Sequence, residues 1–202
     1  MEQKMVNSYG LFGILQLIYF KIRTFFLFKK ARLIRFPLYL RGKKYVSIGE
    51  GFTTGVNCRI DAFPFKNNTY RKLIIIGKNV QINDNVHIAA IERIEIHNDV
   101  LIASKVFISD HNHGNYSGES QDSPLSIPSQ RPLSSKPIII EEKVWIGEFV
   151  SIVAGVTIGK GSIIGSMAFV NKDIPPYSFA VGSPAKVIKQ YDFEKNEWNT
   201  VS

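Results

Sequence analysis

The sequence predicts an all-β protein in which one chain coils through short parallel strands in units of six residues. Three observations carry this. Between Ile140 and Ile174 the chain aligns with itself every six residues: Ile140 to Val144, Ile146 to Val150, Ile152 to Val156, Ile158 to Ser162, Ile164 to Ala168, then Val170 to Ile174. Each unit opens on a β-branched aliphatic residue and has a small or β-branched one four positions later. The glycines, asparagines and lysines between them give no helical spacing of three and four and would undo a helix. Strands of a hairpin meander would be longer and joined by dedicated turns, whereas a strict short period fits a parallel coil in which each unit is one short strand and a corner.

Taken in order, the chain opens on a basic, apolar segment. Residues 1–44 hold ten lysines and arginines against Glu2 alone, so they account for the whole formal charge of +8 and leave the rest near neutrality. The charge is therefore a feature of the N-terminus, and the body shows no nucleic-acid footprint. Tyr9 to Phe28 reads as a helix rich in Leu, Ile and Phe. A transmembrane span takes roughly 20 nearly uninterrupted apolar residues; Gln16, Lys21 and Arg23 interrupt this one, and no small-residue cleavage site follows. Two readings remain: a helix lying in a membrane interface beside Lys29, Lys30, Arg32 and Arg35, or a helix capping the open edge of the first coil.

Residues 32–40 read as an extended lead-in containing Pro37, and the register of six starts at Ile48. It passes through Thr54 and Ile60, breaks at the turn-rich Phe63–Lys72, resumes at Ile76, Ile82 and Ile88, slips by two between Ile91 and Glu95, and holds at Ile96, Ile102 and Ile108. That makes about fifteen hexads, or roughly five turns if the coil is three-sided. Cys58 is the single cysteine, which excludes an internal disulfide and suits a reducing cytoplasm. It falls at a small inward position, so it reads as a packed core thiol.

Residues 112–137 form the largest break, rich in Gly, Ser and Pro, and begin directly after Asp110-His111. A loop of this length inside a compact domain is usually functional or disordered. After Pro175 and Pro176 a tail follows in which Pro184 sets a turn before a segment that covers the last coil. The organisation is an N-terminal segment 1–44, a parallel coil 45–174 with the loop 112–137, and a capping tail 175–202.

Set in this repeat, Ser109-Asp-His-Asn-His113, Val144-Trp-Ile-Gly147, Lys172-Asp-Ile-Pro-Pro176 and Gly182-Ser-Pro-Ala-Lys-Val-Ile188 resemble the O-acetyltransferase branch of the hexapeptide-repeat acyltransferases. Gln81 to Ile88 and the basic N-terminus resemble its members that acetylate O-antigen. The resemblance covers residues 48–190. It implies a left-handed parallel β-helix, a hand that the period itself does not reveal. It also implies a homotrimer, acetyl-CoA as co-substrate without a metal, and a sugar or lipid-linked glycan as acceptor.

Carried over position by position, His111 matches the general base, a role that suits an imidazole titrating near neutrality; its ordinary alternative is a surface histidine on a turn. Trp145 matches a tryptophan beside the thioester. Asn83 matches an asparagine that orients the acceptor or steadies the oxyanion, though asparagine at a corner is also ordinary turn chemistry. His113 and Asn85 are assigned to the acceptor. Ser166, Asn171, Lys172, Lys186 and Lys189 are assigned to the pantetheine and phosphates of acetyl-CoA. Glu148 joins them, at a position where relatives carry a small hydroxyl residue. Three competing readings share the fold: an N-acyltransferase acting on a nucleotide-linked amino sugar, a γ-carbonic-anhydrase-like metalloprotein using His87, His111 and His113, and an inactive trimeric scaffold.

Overall fold

The computed structural model describes residues 2–65 and 71–201, with side chains from Tyr9 onward; the middle of the insertion expected at 63–72 lies outside the described residues. One helix, Glu2–Leu27, breaks at Gly10, whose φ is +63°. Everything after it is short strands in three sheets, plus one antiparallel pair.

Successive strands enter the first, second and third sheet in rotation, and the pairing within the coil is parallel. The residue opening each hexad stacks on its equivalents. In the first sheet Ile34, Thr54, Ile82, Ile102, Ile146, Ile164 and Ala180 form one buried column. In the third, Ile48, Ile76, Ile96, Ile140, Ile158 and Ile174 form another. Where the repeat is regular the partners are three hexads apart, as in Ile146 and Ile164. The slip puts two more residues between Ile82 and Ile102, and the long loop separates Ile102 from Ile146. The second sheet has six strands, one more turn than expected, because Leu33–Ile34 and Leu38–Arg41, in the segment read as a lead-in, already pair with Thr53–Thr54 and Cys58–Asp61.

The corners explain the residues between the aliphatic positions. Asn79, Asn85, Asp99, Lys105, Lys143, Phe149 and Met167 all have φ between 55° and 64°, and Gly155 and Gly161 share this left-handed backbone. Each directly precedes a buried Val, Ser or Ala of the small-residue position. Asn, Asp and Gly tolerate that conformation best, which is why they recur at a spacing of six. Each fully buried Ile side chain contributes about 1.5–3 kcal/mol, so the three columns supply the core.

Both ends are covered. Phe20 and Thr24 of the helix are buried against the first turn, where Thr24 Oγ1 accepts from the Ile34 N–H at 2.8 Å. At the far end the strand Lys186–Asp192 lies antiparallel on Ser178–Val181 and on Glu197–Thr200, with Tyr177, Tyr191, Phe193 and Trp198 in edge contact.

Candidate active site

The second sheet hands the chain to the long loop at Phe107–Ser109, and His111 follows two residues later. The loop is more ordered than its composition suggests. His111–His113 pairs antiparallel with Leu133–Ser135, and Pro128–Gln130 forms a 3-10 turn. Arg131 ties the excursion together, donating to Tyr116 Oη at 2.8 Å and to the Ser126 carbonyl at 2.8 Å, while Tyr116 Oη donates to the His113 carbonyl. At its base lies a cleft of about 250 Å³ lined by Asn112, Tyr116, Ser134, Lys136 and Ala154 among others.

His111 is held by its neighbour. Asp110 is fully buried, and its Oδ1 lies 2.8 Å from His111 Nδ1. The other bonds to this carboxylate come from the backbone: Ile91 N–H at 3.0 Å, and Glu92 and Arg93 N–H at 2.8 Å each. These three consecutive amides belong to the corner where the register slips, so the two-residue irregularity builds a pocket of N–H donors around one carboxylate. A carboxylate only accepts, so Nδ1 donates and Nε2 is left as the basic nitrogen. Among the described residues Nε2 has no partner, and the imidazole is 21% exposed. This is the tautomer and orientation a general base requires. Asp110 escaped selection from the sequence although it adjoins His111; the slip at Ile91–Glu95 was the signal that could have found it.

The other selected residues fall on two edges of the coil. Asn83, Asn85, Glu148 and Ser166 lie at the corner between the first and second sheets, and Trp145 stands outward from the first sheet just before it, half exposed. Met167 N–H donates to the Glu148 carbonyl at 2.8 Å, which stacks Ser166 over Glu148. Asn83 Oδ1 accepts from Gln81 Nε2 at 3.3 Å. His111, His113, Asn171 and Lys172 lie at the next corner, between the second and third sheets. Lys186 joins them, since Ala185 N–H donates to Phe169 O at 2.8 Å; Lys189 lies farther round, opposite Phe179. A strand of the second sheet separates the edges, five residues or roughly 16 Å. Within one chain no described contact joins His111 to Asn83 or Trp145.

Cys58 is buried, and burial pushes its thiol up to about 11. His87 lies 3.3 Å from Asp61 on the second sheet, so it does not converge with His111 and His113; among the described residues no group of three His, Cys, Asp or Glu is placed to hold a metal.

Comparison with known proteins agrees with this architecture. Residues 137–172 match the family model described as bacterial transferase hexapeptide (six repeats). Escherichia coli (strain K12) WbbJ, which carries the name of a lipopolysaccharide biosynthesis O-acetyl transferase, is 41% identical over 196 residues, covering 96% of this chain and 97% of its own. A hexapeptide-repeat containing acetyltransferase of Vibrio cholerae O1 biovar eltor, solved with acetyl coenzyme A, superposes with a TM-score of 0.52 at 28% identity over 77% of this chain and 71% of that one. The N-acyltransferase AntD of Bacillus cereus, solved with a dTDP-amino sugar and coenzyme A, reaches 0.67 over 83% and 84%; at 22% identity it shows the fold alone.

Proposed function

The chain belongs to the bacterial hexapeptide-repeat transferases and is an acyltransferase, and from that premise we propose that it moves an acetyl group from acetyl-CoA to a sugar hydroxyl of a bacterial surface glycan. The observation that carries the mechanism is the contact of His111 Nδ1 with the buried Asp110 carboxylate at 2.8 Å. His111 Nε2 takes the proton from the hydroxyl as its oxygen attacks the thioester carbon, then returns it to the departing thiolate. Asp110 holds the ring and offsets the charge it gains, a positioning role rather than a proton transfer.

The site in this reading is shared. Trp145, Asn83, Asn85, Glu148 and Ser166 lie on one edge and His111, His113, Asn171, Lys172 and Lys186 on another, so a second copy must bring its edge to the first. A homotrimer of left-handed β-helices does this three times over. Acetyl-CoA then lies along the groove, with Ser166 and Glu148 at the pantetheine and Asn171, Lys172, Lys186 and Lys189 at the phosphates. A full-length relative named for O-acetyl transfer supports a hydroxyl acceptor over an amino sugar. The enzyme works in the cytoplasm on a lipid-linked glycan at the inner membrane, which the N-terminal helix touches.

His111→Ala tests the reading. We expect kcat for thiol release from acetyl-CoA in the presence of acceptor to fall by about 10²–10⁴ with the fold intact by circular dichroism. Activity within a few-fold of the parent would overturn the assignment.

A further inference from the structure

Two turns before His111, on the same outer face, lies a polar cluster that the catalytic reading does not use. Asp61 is buried, its side chain 5% exposed. Arg41 donates to it through Nε at 2.7 Å and Nη2 at 2.6 Å, Arg59 through Nε at 2.7 Å, and His87 Nε2 lies 3.3 Å away. Both arginines remain about half exposed. Arg59 spends only Nε on the carboxylate, so among the described residues both of its Nη groups are free, as is Nη1 of Arg41. Two guanidiniums against one carboxylate leave a surplus positive charge whose donors are oriented from below.

The cluster is in register with the catalytic pair. Arg41, Asp61, Ala89 and Ser109 are successive partners across the second sheet, and Ser109 Oγ donates to the His111 carbonyl at 3.1 Å. Two strand spacings put Asp61 roughly 10 Å from Ser109, one to two sugar units. Ala89 leaves the floor between them low. Beside it the rings of His87 and Phe107 stand 5.5 Å apart, with Phe107 38% exposed, a surface on which a sugar ring can stack.

We propose that this face is the acceptor's path to His111 and that Arg41 and Arg59 hold an anionic group of the glycan, a phosphate or a carboxylate, one to two sugar units from the acetylated hydroxyl. The inference deepens the acetyl-transfer reading and rests on it for the role of His111. A purely structural role explains the cluster less well. Partly exposed ion pairs contribute about 0–1 kcal/mol, and one arginine would satisfy the carboxylate. A second guanidinium with free Nη groups is what bidentate recognition of phosphate or carboxylate uses.

The test reads binding by NMR titration of the full chain without acetyl-CoA, using matched probes: glucose 1-phosphate against glucose, and a glucuronate-containing disaccharide against its neutral counterpart. The charged member of at least one pair should bind ten-fold tighter or more, and the pair that responds identifies phosphate or carboxylate as the group held. In Arg59→Gln, where Arg41 and His87 still serve Asp61, this advantage should shrink to within two-fold. Wild-type competition by inorganic pyrophosphate, weakening with salt, supplies the same answer should the variant unfold. Equal binding within both pairs, or equal weakening of charged and neutral probes by Arg59→Gln, would sink the proposal. The catalytic reading fails separately: an anionic advantage that depends on Arg59, together with full transfer by His111→Ala, leaves the acceptor face standing and removes the base.

Discussion

At the scale of single residues, the chemistry rests on how Asp110 constrains one imidazole. Asp110→Asn keeps the shape and most of the backbone bonds, but an amide can turn its NH₂ toward Nδ1 and select the wrong tautomer. We expect kcat to fall by about 10²–10⁴ while KM for acetyl-CoA stays within a few-fold, measured by steady-state thiol release; an unchanged kcat would show that the carboxylate does nothing for the ring. Cys58 makes the opposite case, a nucleophile in principle that the core disables. Its thiol, pushed up to about 11 by burial, should resist thiol reagents in the native protein at pH 8 and react on unfolding. The folded state raises this pKa above the ordinary 9.0, so it favours the protonated thiol. The stability so gained is complete below pH 9 and is lost as pH rises through about 11, which denaturant titration at both ends of that interval will show.

At the scale of the element, one hexad holds both of the protein's tasks. Ile146 is fully buried in the first-sheet column and Trp145, its neighbour, points outward half exposed. Ile146→Ala should cost about 2–5 kcal/mol by denaturant unfolding. Trp145→Ala should cost far less stability and lower acetyl-CoA turnover, and a large loss of stability there would place the indole in the core after all. The alternation that separates these two residues was legible in the sequence, because the period of six fixes which residue faces inward. The corners were legible too, once Asn, Asp and Gly are read as left-handed positions. The first turn was hidden because Leu33–Arg41 carries Pro37 and lacks the corner pattern, and its pairing partners lie a whole turn away. Asp110 was hidden for a related reason. An aspartate before a histidine is ordinary corner chemistry until three amides from another turn converge on it. Arg41, Asp61 and Arg59 likewise gain meaning only when strands distant in sequence lie side by side.

At the scale of the whole molecule, the unresolved contrast is between the helix as a cap and the helix as a membrane contact, and the structure gives it a face for each. Phe20 and Thr24 are buried on the first turn, and Lys21 Nζ donates to the Arg32 carbonyl at 2.6 Å, so its C-terminal half is fastened to the coil. Tyr9–Leu27 is nevertheless only 11% buried and, with a mean hydropathy of 1.4, is long and apolar enough by length and composition to cross a membrane. Leu11, Phe12, Leu15, Phe25 and Phe26 all stand outward, with Lys29, Lys30 and Arg32 exposed just beyond. Fastening at one end argues for a helix lying along a surface rather than crossing it. Each basic residue near an anionic leaflet is worth about 1 kcal/mol, so the cluster adds to the apolar contribution in a way that salt screens. Co-sedimentation with vesicles containing anionic lipid should therefore show binding that drops at high salt. It should disappear in Leu11→Ser/Phe12→Ser/Leu15→Ser, which touches only outward residues and leaves Phe20 and Thr24 in place. Light scattering should still report a trimer for that variant, with transfer to soluble acceptors retained. Binding that persists in the triple variant would move the contact away from this helix, and a parent protein that ignores anionic vesicles would leave the helix as a cap whose outer face meets another protein.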